Sequence, residues 1–211
     1  MVVLGLTGSI GMGKSATAAM FRKAGIPVHD ADATVHALYR GDAVPLVEAA
    51  FPGVSNAQGI DRALLGARVF KDPAAMQRLE AIIHPLVARA RETFLAHARA
   101  EARRIVVLDI PLLMEIGADA DVDAVVLVTA PEAVQKARVA AREGMTEERL
   151  AVILAKQMPD AAKRLRSHFL IDTSRGFAAA ERQVADILRA AVALGGKRAI
   201  TPHQRNAMRQ N

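Results

Sequence analysis

The chain has 211 residues, 52% of them hydrophobic, which suits one α/β core with a modest insertion. Lys and Arg exceed Asp and Glu by 28 to 22, but Lys197, Arg198, Arg205 and Arg209 follow Gly195 in a stretch without acids, leaving a body of about +2. That near balance, 3% aromatic residues, no Trp and no Cys exclude a wholly basic nucleic-acid face, a base-stacking platform, disulfides and thiolate metal sites. The opening MVVLGLTGS has no basic segment, and no apolar run approaches the ~20 residues that cross a bilayer. A soluble cytoplasmic protein is expected, with no membrane, nucleic-acid or obligate protein partner.

In chain order, the apolar run Val2 to Leu6 predicts a strand. A Gly-rich stretch follows, then an Ala-rich helix from Lys14 to Ala24 closed by Gly25, and a second strand from Ile26 to His29. This is a βαβ unit, hence a parallel sheet with a right-handed crossover. Further strands are expected at Ile105 to Ile110, Ala124 to Thr129 and His168 to Ile171. Their short aliphatic runs are those of strands covered on both faces by helices, as in an open doubly wound domain.

About seventy residues without a good strand separate the second and third strands, more than one crossover helix requires. Helices are expected at Ala31 to Arg40, Pro45 to Phe51 and Arg62 to Phe70. A longer one starts at Pro73, with Asp72 as N-cap, and His84-Pro85 is expected to interrupt it. Beyond the strand ending at Thr129, Pro131 starts a helix that Gly144 breaks, and Thr146 to Met158 reads as a second, the pair forming a movable flap. A final helix, Ala178 to Leu194, precedes a basic tail from Gly195 that is expected to be mobile.

Gly8-Ser9-Ile10-Gly11-Met12-Gly13-Lys14-Ser15 fits G-x-x-x-x-G-K-[ST] without mismatch, between a predicted strand and a predicted helix. The glycines let the backbone curl so that successive N–H groups face a triphosphate, and the helix N-terminus adds partial positive charge. Lys14 is placed to reach the β and γ phosphates and the Ser15 hydroxyl to coordinate Mg²⁺. A phosphate donor site alone does not make a kinase; an acceptor must also be held and activated.

Asp30 and Asp32 follow the second strand, whose carboxyl end shares an edge with the phosphate loop. Capping of the next helix is favoured for Asp30 and chemistry for Asp32, either accepting a proton from a hydroxyl acceptor or binding Mg²⁺ through water. Asp109, ending the run Ile105 to Leu108, is either an acid near Mg²⁺ or a hydrogen-bonded turn carboxylate. Arg138 and Arg142, four apart, form either a clamp on the transferring phosphate or a solvated face beside Glu132 and Glu143. The six histidines show no H-E-x-x-H spacing, and no N-K-x-D guanine signature is present.

From Val3 to about Leu194 the chain resembles the dephospho-CoA kinase family. The resemblance rests on LTGSIGMGKS, Asp30-Ala31-Asp32 with His36, Asp61-Arg62, Ile83-His84-Pro85, Asp109-Ile110-Pro111-Leu112-Leu113 with Glu115, Arg138 with Arg142, Gln157-Met158 and Ile171-Asp172. It implies a three-layer P-loop α/β fold with a parallel five-stranded sheet, an inserted helical substrate domain and a helical lid. The corresponding boundaries are a core of 1–30, 104–137 and 163–194, a CoA-binding insertion of 31–103, a lid of 138–162 and the tail 195–211.

The implied reaction moves phosphate from ATP to the ribose 3′-hydroxyl of dephospho-CoA, with Mg²⁺, in the last step of coenzyme A synthesis. ATP would lie on Gly8 and on Gly11, Met12, Gly13, Lys14, Ser15 and Ala16, with Arg142 beside it and Arg138 closing from the lid. Asp32 matches the general base, so that Lys14, Asp32 and Arg138 carry the catalysis. His36, Arg62, His84 and Leu113 match the acceptor side. Ser15 would hold Mg²⁺, with Asp109 contacting it through water. Ala16 stands where Thr is usual, a small departure because Ser15 keeps the metal-facing hydroxyl.

Overall fold

A computed structural model describes residues 1–70 and 72–194, so the expectation for the basic tail lies outside the described residues. The chain divides into two compact units, Met1–Val28 with the residues from Glu101 onward, and His29–Ala100.

In the first unit, β1 (Val2–Thr7) leads through the glycine-rich loop into α1 (Lys14–Lys23) and on to β2 (Val28–Asp30), where the chain passes into the second unit. It returns through β5 (Ile105–Asp109), a 3₁₀ turn (Ala118–Asp121), β6 (Ala124–Thr129), α6 (Glu132–Ala140), α7 (Glu147–Ala155), α8 (Asp160–Leu165), β7 (Phe169–Asp172) and α9 (Phe177–Ala193). The sheet order is β2-β5-β1-β6-β7. β1 runs parallel to both neighbours, with Leu6 opposite Asp109 on one side and Thr7 opposite Leu127 on the other. β6 in turn sets Thr129 beside Asp172 on β7. Parallel pairing therefore gathers Thr7, Asp109, Thr129 and Asp172 near the carboxyl edge, where such sheets place ligands.

Every residue of β5 and β6 is buried, which accounts for their unbroken aliphatic sequence. On one face, Leu4, Leu6, Val126 and Val128 pack in a core with Ala18 and Phe21 of α1 and Val184, Ile187 and Ala191 of α9. Removing a side chain such as Phe21 fully from water is worth roughly 1.5–3 kcal/mol. Between α6 and α7, Gly144 turns with φ of 69°, and Thr146 caps α7 by accepting from Arg149 N at 3.2 Å. α8, a separate short helix, takes up residues that the sequence left as connection.

The second unit contains α2 (Ala31–Leu38), α3 (Val44–Ala50), β3 (Ser55–Asn56), β4 (Gly59–Ile60), α4 (Arg62–Val69) and α5 (Pro73–Ala100). Its core joins Val47, Phe51, Val54, Ile60, Leu65, Val69, Leu79 and Ile83. Asp72 Oδ1 accepts from Ala74 N and Ala75 N at 2.9 and 3.1 Å, the cap expected at the start of α5.

Two expectations fail in this unit. The region between the second and third strands of the large sheet does contain strands, a two-residue antiparallel hairpin that pairs Ser55 with Ile60 and Asn56 with Gly59. Strands this short carry no periodicity. Nor does His84-Pro85 interrupt α5, which runs through Pro85 for 28 residues. An interior proline costs about 3 kcal/mol, but Leu79 and Ile83 before it and Leu86 and Val87 after it pack into one core, and that burial outweighs the lost hydrogen bond. Among the described residues, no helix is long and apolar enough to cross a membrane.

Candidate active site

The loop between β1 and α1 is held from outside by side chains that grip three successive carbonyls. Gln135 Nε2 donates to Ile10 O at 2.7 Å, Arg138 donates to Gly11 O at 3.4 Å, and Thr173 Oγ1 donates to Met12 O at 2.8 Å. Because a trans peptide points its C=O and the next N–H in opposite directions, fixing these carbonyls turns the N–H groups of Gly11, Met12 and Gly13 away from them, that of Met12 donating to Ser9 O at 3.2 Å inside the loop. Gly11 has φ of 78°, and a Cβ there would stand 2.6 Å from Val139 Cγ2, so both conformation and space require glycine. Gly8 is required by space alone, since a Cβ would approach Val128 O to 2.7 Å. Met12 is buried, and its sulfur accepts from Ala130 N at 3.1 Å.

Lys14 opens α1, and its Nζ lies 2.7 Å from Asp109 Oδ1, whose side chain is only 2% exposed. Of the two readings of Asp109, the structure supplies a specific partner, the lysine of the loop. Ser15 is exposed in the first turn of α1. An apolar cavity of about 250 Å³ opens beside this turn, lined by Gly13, Ala16, Thr17, Met20, Arg138, Thr173 and Phe177.

The two arginines part company. α6 ends at Ala140, so Arg142 lies beyond its last turn and is exposed; the two do not share a helix face as the four-residue spacing suggested. Arg138 donates to Thr173 Oγ1 at 2.8 Å and Thr173 O at 2.9 Å as well as to Gly11 O. Its guanidinium thus buttresses the loop while lining the adjacent cavity.

The second unit groups part of the expected acceptor side. Asp30, not Asp32, caps α2, its Oδ1 accepting from Ala33 N at 2.9 Å. Asp32 is left exposed and lines a cavity of about 660 Å³ together with His36, Tyr39, Arg62, Val69, Phe70 and Met76. Arg62 donates to His36 Nε2 at 2.9 Å. Burial pushes the Tyr39 phenol above its ordinary value, with nearby Arg62 opposing the shift, so this hydroxyl stays protonated as a donor. A second, more polar hollow of about 450 Å³ shares His36, Tyr39 and Arg62 and adds Arg40, Asn56 and Gln58.

Two expected acceptor residues sit elsewhere. His84 is exposed on α5 and outside both cavities. Leu113 is fully buried in the first unit, and a Cβ on Gly5 would stand 2.7 Å from its Cδ2: the leucine fills space that Gly5 leaves open. It is a packing residue because nothing of it reaches the surface. Leu113→Ala should therefore lower stability by about 2–5 kcal/mol while leaving KM for the acceptor unchanged, as thermal unfolding and steady-state kinetics would read. A raised KM in a folded variant would return Leu113 to the acceptor side.

Gln135, Gln157 and Thr173 were not among the candidates for handling the loop. Gln157 belongs to a motif of the resemblance, but nothing in its spacing pointed to Ile10, whose N–H it accepts at 3.3 Å. Thr173 follows the last strand and has no sequence signature.

A protein-family model described as "CoaE: Dephospho-CoA kinase" matches residues 2–179. The chain is 54% identical over 199 residues to a dephospho-CoA kinase of Rhodopseudomonas palustris, covering 94% of this chain and 100% of that protein. It is 60% identical over 188 residues to a dephospho-CoA kinase of Mesorhizobium japonicum, covering 89% and 95%. Among solved structures, TT1252 from Thermus thermophilus superposes with a TM-score of 0.78 at 33% identity, over 90% of this chain and 96% of that one. The dephospho-CoA kinase from Campylobacter jejuni superposes with a TM-score of 0.63 at 21% identity over the same shares, a likeness of fold.

Proposed function

This chain belongs to the dephospho-CoA kinase family, and from that premise we propose how its residues share the transfer of phosphate from ATP to the ribose 3′-hydroxyl of dephospho-CoA. The family reaction is the final step of coenzyme A biosynthesis, with ATP as co-substrate and dephospho-CoA as acceptor.

The observation that carries the division of labour is the loop whose three carbonyls are tied back by Gln135, Arg138 and Thr173. Donors fixed before substrate arrives need no reorganisation as charge develops, which is where such sites gain most. The amides of Gly11, Gly13, Lys14, Ser15 and Ala16 bind the phosphates, with Met12 joining them only by releasing Ser9 O and Gly8 allowing the close turn. Lys14 supplies a positive charge to the transferring group and exchanges Asp109 for phosphate when ATP binds. The cavity beside Gly13, Ala16 and Arg138 takes the adenine, whose flat faces suit its apolar lining. Arg138 completes the site from α6, where it stays bonded to Gly11 and Thr173; Arg142 reaches it by movement of the part of the lid, 138–162, that lies beyond α6 and before Gln157.

Residues 29–100 hold the acceptor. The mixed lining of their larger cavity suits a ligand with an apolar arm and phosphates, the latter met by Arg62 and His36. Asp32 takes the proton from the attacking hydroxyl. His84 contributes only if the ligand extends beyond the cavities. The donor set also fits Mg²⁺, which binds through one or two protein oxygens, waters and phosphates: the exposed Ser15 hydroxyl would hold it, with Asp109 the carboxylate available to it through water. When bound, the ion supplies neutralisation of phosphate charge. Both substrates are water-soluble nucleotides, which supports the cytoplasmic location read from sequence.

The deciding experiment offers dephospho-CoA, adenosine and AMP as acceptors with ATP and Mg²⁺, and locates the new phosphate by mass and digestion. Selective 3′-phosphorylation of dephospho-CoA is expected. Absence of that product from a folded preparation that binds ATP would overturn the proposal.

A further inference from the structure

One buried charge has no part in the site as described so far. Lys163, on α8, has no exposed side-chain surface, a position lysine almost never takes without a partner. Its Nζ lies 2.9 Å from Glu115 Oε1 and 3.5 Å from Ser9 Oγ, the second residue of the phosphate loop. Glu115 Oε1 also accepts from Met158 N at 2.8 Å. The neighbouring Gln157 accepts from Ile10 N, the third residue of the loop, at 3.3 Å. Thus the segment 157–163, returning from α7, touches two consecutive loop residues through side chains, and Glu115 anchors it at both ends.

This arrangement is expensive as a means of stability. An ion pair between a fully buried lysine and a glutamate only 14% exposed gains little over apolar side chains of similar volume, because the charges lose most of their water. Moreover, Glu115 Oε2 is buried with no hydrogen-bond partner among the described residues, a vacancy that native structures seldom leave without cause. We propose that Lys163 and Glu115 are positioning residues for the phosphate loop: their ion pair fixes Ser9 and, through Met158, the return arm beside Ile10, so that the loop amides stand ready for phosphate. Burial works against the Glu115 carboxylate, but hydrogen bonds from Lys163 and the Met158 N–H outweigh it and hold its pKa below the ordinary value. The carboxylate is therefore charged at neutral pH. Neither residue is assigned contact with substrate; the effect passes through Ser9 and Met158. The inference rests on the kinase reading of the loop but not on the identity of the acceptor.

The test uses the double variant Lys163→Met/Glu115→Gln, which removes both charges so that neither is left buried alone, and Ser9→Ala in both the parent and that background. Readouts are melting temperature, ADP affinity by calorimetry without acceptor, and kcat and KM with dephospho-CoA. The neutral pair should melt close to the parent yet bind ADP about tenfold more weakly and lose about 10- to 100-fold in kcat, the scale of small misplacements in a reacting site. KM for dephospho-CoA should hold. Ser9→Ala should cost several-fold in the parent and little in the neutral pair, since residues acting as one unit are not additive. ADP affinity and kcat within about twofold of the parent, or equal Ser9→Ala costs in both backgrounds, would overturn the proposal. If the neutral pair does not fold, Ser9→Ala alone decides: a several-fold loss supports the role and parental values refute it. ADP affinity separates this failure from an error in the acceptor, which would leave nucleotide binding intact.

Discussion

Lys14→Met is expected to lower kcat by about 10²- to 10³-fold, the cost of removing one preorganised group that stabilises transition-state charge. The same substitution has a structural effect, because Lys14 Nζ is 2.7 Å from an Asp109 carboxylate that is almost completely buried. Taking away one member of a buried pair destabilises by up to about 3–5 kcal/mol; the partial exposure of Lys14 places the expected loss at the lower end or below. The two effects separate in a second variant. Asp109→Asn added to Lys14→Met removes the buried charge whose ion pair with the lysine the first change breaks, so melting temperature should recover toward the parent while kcat stays low. A Lys14→Met enzyme turning over within tenfold of the parent would exclude the lysine from phosphate transfer. Recovery of activity in the double variant would mean that Lys14 serves only to neutralise Asp109.

The second large effect is expected at Asp32. Asp32→Asn should reduce kcat by about 10²- to 10⁴-fold, the range for loss of a positioned general base, with KM for both substrates close to the parent's. The fold should be indifferent, because Asp32 is exposed and the cap of α2 is made by Asp30. Asp30→Ala provides the opposite control: it removes the cap, costing about 1 kcal/mol of stability, and should leave kcat nearly untouched. Parental turnover in Asp32→Asn with intact substrate binding would end its assignment as base and leave the chemistry to positioning and charge neutralisation alone.

The capping pair shows how far local rules reach. Asp30 before Ala31, and Asp72 before Pro73, were legible as caps because an N-cap carboxylate answers to amides two or three residues away. The phosphate loop was legible for the same reason, with its glycines, lysine and serine at fixed offsets between a strand and a helix. Strands β5 and β6 announced themselves by unbroken aliphatic runs, which exist only where both faces are covered. Placing Arg138 and Arg142 on one helix face went wrong because spacing was trusted beyond the end of a helix: α6 stops at Ala140.

The grouping proposed for the acceptor was legible in part. His36 and Arg62, 26 residues apart, meet at 2.9 Å and share a cavity with Asp32, a meeting that their motifs suggested but their spacing did not. Leu113 went astray because a leucine in a motif reads alike whether it lines a ligand or fills the space over a glycine. The chain past Pro85 went astray because the local cost of proline is known from the residue, whereas the burial that outweighs it comes from Val47 and Leu65 on other helices and Phe51 just past α3.

By itself, then, the sequence determined the strands of the large sheet, the caps, the phosphate loop and the family to which those motifs belong, since each depends on neighbours within a few residues. The tertiary structure decided what holds that loop in shape. Thr173 reaches Met12 across 161 residues, Lys163 reaches Ser9 across 154 and Gln135 reaches Ile10 across 125. These contacts have no period or spacing, because side chains so distant in the chain meet only after the sheet has set its strand order.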